Sequence, residues 1–149
     1  MAKVSGSASA DIDAPIDAVW AIVQDVERWP EWQGTLGALR SLDSDAEGRA
    51  AVCQMQLDAK VTQIKMKLRC DYGPPTRVSF ERESGDLDSL AGSWQLEDLG
   101  DGRTRATYEL TVKPGGVLNL LLNDATTKRL RETLVDVRPR ELKARAEGG

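Results

Sequence analysis

The sequence predicts an α+β domain: a strongly curved antiparallel sheet of about seven strands wrapped around one long C-terminal helix, with two short helices after the first strand. Three observations predict it. Apolar and polar residues alternate with a period of two over much of residues 36–112. The pattern is clearest from Val61 to Tyr72, where Ile64, Met66, Leu68, Cys70 and Tyr72 interleave with Lys65, Lys67, Arg69 and Asp71. Short turn signals at Gly73-Pro74-Pro75, Ser84-Gly85-Asp86 and Gly100-Asp101-Gly102 separate the alternating stretches, and connections this short make antiparallel neighbours. After Pro114-Gly115-Gly116 the apolar spacing becomes helical.

Taken in order, Val4 to Ile12 alternates small or apolar residues with Ser and Asp and reads as the first strand. Asp13-Ala14-Pro15 reads as a helix start with Asp13 as the cap, and Ile16, Val19, Trp20 and Val23 then share one helical face. Asp25 opens a second short helix that carries Trp29 and Trp32 and is interrupted or kinked at Pro30. Strands follow at Leu36 to Leu42, Ala51 to Leu57 and Val61 to Tyr72, then around Val78 and Phe80, from Leu90 to Leu96, and from Ala106 to Val112. Parity across Gly100-Asp101-Gly102 sets Trp94 near Tyr108 and Leu96 near Ala106, both inward, with Glu97 opposite Arg105 in water. A tight turn near Asp58-Ala59 is expected to set Cys53 near Ile64, leaving Cys70 about 20 Å further along and beyond disulfide reach. Both cysteines then read as free thiols in a reducing compartment. The last segment shifts its apolar stripe near Asn123-Asp124, which calls for a kink or two abutting helices there, and Pro139 should disturb the final turns.

The 149 residues form one domain, with residues 146–149 expected to fray. Lys and Arg number 20 against 24 Asp and Glu, a balance that speaks against a nucleic-acid binder working by phosphate neutralisation. The stretch before Gly48 is acidic and that from Lys128 onward is basic, so the two ends should attract each other weakly. No apolar run approaches a membrane span, and the first ten residues lack a signal-peptide core, so a cytoplasmic protein without stable membrane insertion is expected. The chain has 0 His, which removes His-based triads, imidazole metal sites and the usual proton shuttle for neutral pH. P-loop, Rossmann and Gly-x-Ser-x-Gly signatures are missing as well.

The element order, together with Asp13-Ala14-Pro15, Val19-Trp20, Asp25-Val26-Glu27-Arg28-Trp29-Pro30-Glu31-Trp32, Gly92-Ser93-Trp94-Gln95-Leu96-Glu97, Gly100-Asp101-Gly102-Arg103-Thr104 and Tyr108-Glu109-Leu110, resembles the START-like (SRPBCC, helix-grip) superfamily. Within it the likeness is to the polyketide cyclase/dehydrase and lipid-transport branch. The resemblance spans nearly the whole chain. It implies a helix-grip fold with a hydrophobic cavity between sheet and long helix, no cofactor, and either carriage of a lipophilic molecule or aromatase/cyclase or dehydrase chemistry.

On this basis the inward residues Trp29, Trp32, Met55, Met66, Leu68, Phe80, Trp94, Tyr108, Leu118, Leu121 and Leu122 are expected to line a cavity that the chain's own side chains only partly fill. Arg82, Tyr72 and Tyr108 share the inner face by parity and are the weak candidates for polarising a ligand carbonyl, enolate or carboxylate. The favoured reading is a carrier of a small lipid, polyketide or quinone-like molecule, present as a monomer or homodimer. A cyclase or dehydrase is the alternative. A second alternative is a protein-interaction module using the leucine-rich segment 117–122, whose leucines cannot all face one core.

Overall fold

A computed structural model describes residues 4–58, 63–116, 120 and 122–148. The order is β1 (Val4–Ile12), α1 (Ile16–Val23), a 3₁₀ helix (Val26–Glu31), then β2 (Leu36–Ser44), β3 (Ala50–Asp58), β4 (Gln63–Gly73), β5 (Arg77–Gly85), β6 (Ser89–Gly100) and β7 (Arg103–Lys113). The long C-terminal helix comprises α2 (Asp124–Arg131), a π-helical turn (Glu132–Asp136) and α3 (Arg138–Glu147). The seven strands form one sheet in the order β1-β7-β6-β5-β4-β3-β2, every neighbouring pair antiparallel. This is the curved sheet gripping a terminal helix that the alternation and the late change of period predict.

The period of two governs burial. Along β4 the apolar set Ile64, Met66, Leu68 and Cys70 is buried, while Lys65, Lys67, Arg69 and Asp71 are exposed. Across β6 and β7, Trp94 faces Tyr108, Leu96 faces Ala106 and Glu97 faces Arg105, as parity requires. The β3–β4 hairpin corrects the sequence reading. Leu57 pairs with Ile64 and Cys53 with Leu68, so the chain reverses beyond Asp58 rather than at Asp58-Ala59. A displacement of four residues leaves every side chain on its original face, so the apolar pattern cannot detect it. The consequence is that Cys53 and Cys70 are not far apart: Cys53 pairs with Leu68, two residues from Cys70, and both side chains are buried. Both are free, and the neighbouring Cys53 thiol together with burial pushes the Cys70 thiol up.

The helix ends also depart from expectation. Asp13 does not cap α1, whose N-cap is Pro15; its side chain instead accepts from Arg103 Nε at 3.0 Å. Asp25 occupies the N-cap of the 3₁₀ helix without a side-chain capping bond, and Pro30 lies inside that helix. The break near Asn123-Asp124 is a true helix start: the Asn123 side chain accepts from Thr126 N at 3.0 Å, and Thr126 Oγ1 accepts from Asn123 N at 2.7 Å. Pro139 falls in the first turn of α3, where its missing N–H leaves no helical bond unmade. The α3 helix runs through Glu147, whose carboxylate accepts from Asp13 N at 2.8 Å and from Lys143 Nζ at 2.6 Å. Lys143 Nζ also donates to Asp11 O at 2.8 Å, and Arg145 pairs with Glu31 at 2.7 Å. The basic C-terminal stretch thus meets the acidic N-terminal one.

Candidate functional site

Five aromatic rings occupy the space between sheet and helix. Trp29 meets Phe80 edge-on at 5.7 Å; Phe80 stacks on Tyr108 at 6.2 Å; Tyr108 lies 4.8 Å from Trp94; and Trp94 lies 5.9 Å from Trp32. Gly92 makes room for this chain of rings. A Cβ there would stand 2.5 Å from Phe80 Cζ and 2.8 Å from Glu109 O, so only glycine lets the Phe80 ring lie across β6. The rings and the helix between them leave a cavity of about 20 Å³, room for roughly one water molecule. That is far below the roughly 300–1,000 Å³ of a ligand pocket. The spacious hollow expected from the sequence is therefore closed in this conformation, because the aromatic side chains interlock.

The cavity wall is drawn from nearly every element. Trp29 comes from the 3₁₀ helix, Gln33 from the loop after it, Leu36 from β2, Met55 and Leu57 from β3, and Leu68 from β4. Phe80, Leu90, Tyr108 and Leu110 come from β5, β6 and β7, and Leu134 and Arg138 from the terminal helix. Of the residues predicted to line it, Trp29, Met55, Leu68, Phe80 and Tyr108 do so. Met66 and Trp94 are buried, and Trp32 and Leu122 are packed against the core, but none of these four forms part of the wall. Leu118 and Leu121 lie outside the described residues, as do Val117 and Asn119. Leu120 is 82% exposed.

The polar candidates divide. Tyr72 donates its hydroxyl to Ala50 O at 2.6 Å, and Arg49 sits 4.7 Å over its ring, so it braces β3 against β4 away from the cavity. Arg82 Nη2 donates to Gly85 O at 2.9 Å, closing its own turn, and is not in the wall. Tyr108 is in the wall, and its hydroxyl meets a residue the sequence reading passed over: Arg138. Arg138 is only 2% exposed. Its Nη1 donates to Glu141 Oε1 at 2.8 Å and its Nη2 to Thr35 Oγ1, while Glu141 Oε2 accepts from Gly34 N at 2.8 Å. Burial raises the Tyr108 pKa and the Arg138 charge draws it part of the way back, so the phenol stays protonated near neutral pH.

Two donors at this wall are unsatisfied. Arg138 Nε and Gln33 Nε2 are buried and have no hydrogen-bond partner among the described residues. Leaving a buried donor unpaired costs about 1–3 kcal/mol; Arg82 Nε and Trp94 Nε1 are unpaired as well, but only Arg138 and Gln33 belong to residues of the cavity wall. A signal for Arg138 was present in the sequence. Leu130, Leu134, Arg138 and Leu142 are spaced by four, so the apolar stripe that buries the leucines carries the arginine inside with them. Gln33 and Thr35 carry no comparable signal, since their burial follows from the loop's course beneath α3.

Outside this cluster lies a surface groove of about 540 Å³ between Gly34-Thr35 and the outer side of the helix, with Glu132, Thr133, Asp136, Val137, Arg140 and Glu141 along it. The Arg138–Thr35 and Glu141–Gly34 bonds join the two sides of the groove, and the cavity adjoins their inner side. The arrangement is a polar latch between solvent and a small apolar chamber. Chemically, Tyr108, Arg138 and Gln33 offer hydrogen bonds to an oxygen in an otherwise apolar setting, and Tyr108 with Arg138 can stabilise a developing oxyanion.

Residues 12–136 match the family model described as polyketide cyclase / dehydrase and lipid transport. Among curated proteins, the ribosome association toxin RatA of Pseudomonas aeruginosa is 26% identical over 113 residues, which cover 74% of this chain and 75% of that protein. Among solved structures, a START superfamily protein from Mycobacterium smegmatis superposes with a TM-score of 0.83 at 16% identity, covering 97% of this chain and 98% of that one. The ZhuI aromatase/cyclase from a Streptomyces species gives 0.75 at 17% identity, covering 98% and 94%. At these identities the two structures establish the shared fold.

Proposed function

The chain belongs to the polyketide cyclase/dehydrase and lipid-transport family, and we propose that within it this protein binds a small lipophilic molecule carrying a hydrogen-bond acceptor. The observation that carries the proposal is the pair of unpaired buried donors, Arg138 Nε and Gln33 Nε2, at the wall of an apolar cavity. A guest oxygen would satisfy both, and its hydrocarbon part would replace aromatic and leucine contacts. Because the cavity measures about 20 Å³, admission requires the helix to move outward at the π-helical turn, where Leu134 forms the wall. The latch across the groove is the natural entrance.

Titration of the purified protein with a panel of lipids, sterols, quinones and polyketide-like ketones tests this, read by intrinsic tryptophan fluorescence and by native mass spectrometry. Saturable binding that perturbs Trp29 is expected. If nothing in the panel binds and nothing lipophilic co-purifies, the proposal fails.

One observation favours a second reading, in which the guest is also transformed. The Tyr108 phenol and the Arg138 guanidinium converge on the chamber and both donate, which suits an enolate formed during cyclisation of a β-keto chain. With Tyr108→Phe, cyclisation of such a chain should slow by about 10²-fold while the chain still binds. An unchanged cyclisation rate would leave binding alone as the function.

A further inference from the structure

Arg138 is a buried cation, and at first sight it invites a carboxylate. Its charge is already answered, because Glu141 holds Nη1 at 2.8 Å, and the Glu141 side chain is itself largely shielded from water, at 22% exposed. The polar end of the chamber is therefore close to neutral, with only hydrogen-bond donors left over. A carboxylate guest reaching Arg138 Nε would share one guanidinium with Glu141 in a poorly solvated space, where like charges repel strongly. The groove outside the latch adds to this: apart from Glu141 it carries Glu132 and Asp136 against Arg140, so an anion meets a mildly acidic rim before it arrives.

We infer that Glu141 sets the charge selectivity of the chamber: by neutralising Arg138 it makes the site accept an uncharged oxygen acceptor, such as a ketone, and refuse a carboxylate. This rests on the proposed binding role. Glu141 acts through Arg138, as a positioning residue. Its two oxygens hold different partners, Oε1 the Arg138 guanidinium and Oε2 Gly34 N, so glutamine keeps one of these bonds and loses the other together with the charge.

The test uses the whole chain and three matched guests, octanone, octanoate and octane, with affinities from NMR titration. Octanone is expected to bind at least about tenfold more tightly than octanoate and than octane, since repulsion or a lost hydrogen bond penalises the other two. In Glu141→Gln the order of octanone and octanoate reverses, whereas Glu141→Asp, which keeps the charge, retains the preference for the ketone. A purely structural role for Glu141 would weaken all three guests together and leave their ratios unchanged. Should Glu141→Gln fail to fold, Gln33→Met supplies the reading: it narrows the gap between octanone and octane without admitting octanoate. Octanoate binding the wild-type chain as tightly as octanone overturns the inference and leaves the binding role standing. Failure of all three guests to bind overturns the binding role itself.

Discussion

Arg138 and Glu141 form a pair whose two halves differ in environment, the Arg138 side chain at 3% exposed and that of Glu141 at 22%. Replacing the arginine alone leaves a carboxylate still held by Gly34 N and reached by some solvent, so Arg138→Met should cost about 2–4 kcal/mol, somewhat less than breaking a fully buried pair. The double variant Arg138→Met with Glu141→Met should recover most of that loss while abolishing guest binding, because an apolar pair of similar volume avoids the desolvation cost. Urea denaturation measures the first effect and guest titration the second; a double variant no more stable than the single one would contradict this account. Gly92 is the other sensitive position. Gly92→Ala should lose about 1–3 kcal/mol, because neither the Phe80 ring nor the Glu109 carbonyl can withdraw without disturbing β6 or β7.

At the level of elements, α3 is tied to the N-terminal half by charged contacts to Asp11 O, the Asp13 backbone and Glu31. Two carboxylates report on these ends of the fold. The hydrogen bond from Asp13 N and the Lys143 ammonium hold the Glu147 carboxyl below its ordinary value, and Arg105 does the same for Asp11. A depressed carboxylate contributes stability above its unfolded pKa and loses it as pH falls through the lower folded value. Stability should therefore hold through neutral pH and decline below about pH 4, with salt weakening the effect because these groups are exposed. Thermal melts between pH 7 and pH 2 check the sign; a midpoint that rises on acidification would refute it. By contrast, Leu130 is the one buried residue of α2, which follows on from the leucine-rich segment and leads into the π-helical turn. Amide hydrogen exchange should be faster along α2 and the π turn than along β6 and β7, and a bound guest should slow it at residues 132–138.

For the whole molecule, the arrangement of sheet, 3₁₀ helix and terminal helix was legible in the sequence, and half of the site was not. Met55, Leu68, Phe80 and Tyr108 were placed by parity, because a strand residue's face depends only on whether its position is odd or even, and Trp29, on the 3₁₀ helix, by the family resemblance. Arg82 shares that face, yet its guanidinium turns back to Gly85 O, since a long side chain near a strand end chooses its partner by reach rather than by face. The thiol pair Cys53 and Cys70 shows the same limit in another form: their register depends on where the hairpin turns, which a period of two does not report. The chamber's size escaped the sequence as well, because volume depends on how the five rings interlock, and no one-dimensional pattern encodes ring orientation.

Local spacing and backbone preference were enough to give the seven strands, their inward faces, a break near Asn123-Asp124 and the family. That Arg138, Gln33, Thr35 and Glu141 meet at one end of an almost filled chamber emerges from the folded chain alone. They come from two short segments roughly a hundred residues apart, and their convergence depends on where the terminal helix lands across the loop after the 3₁₀ helix, a long-range packing outcome that no short window of sequence contains.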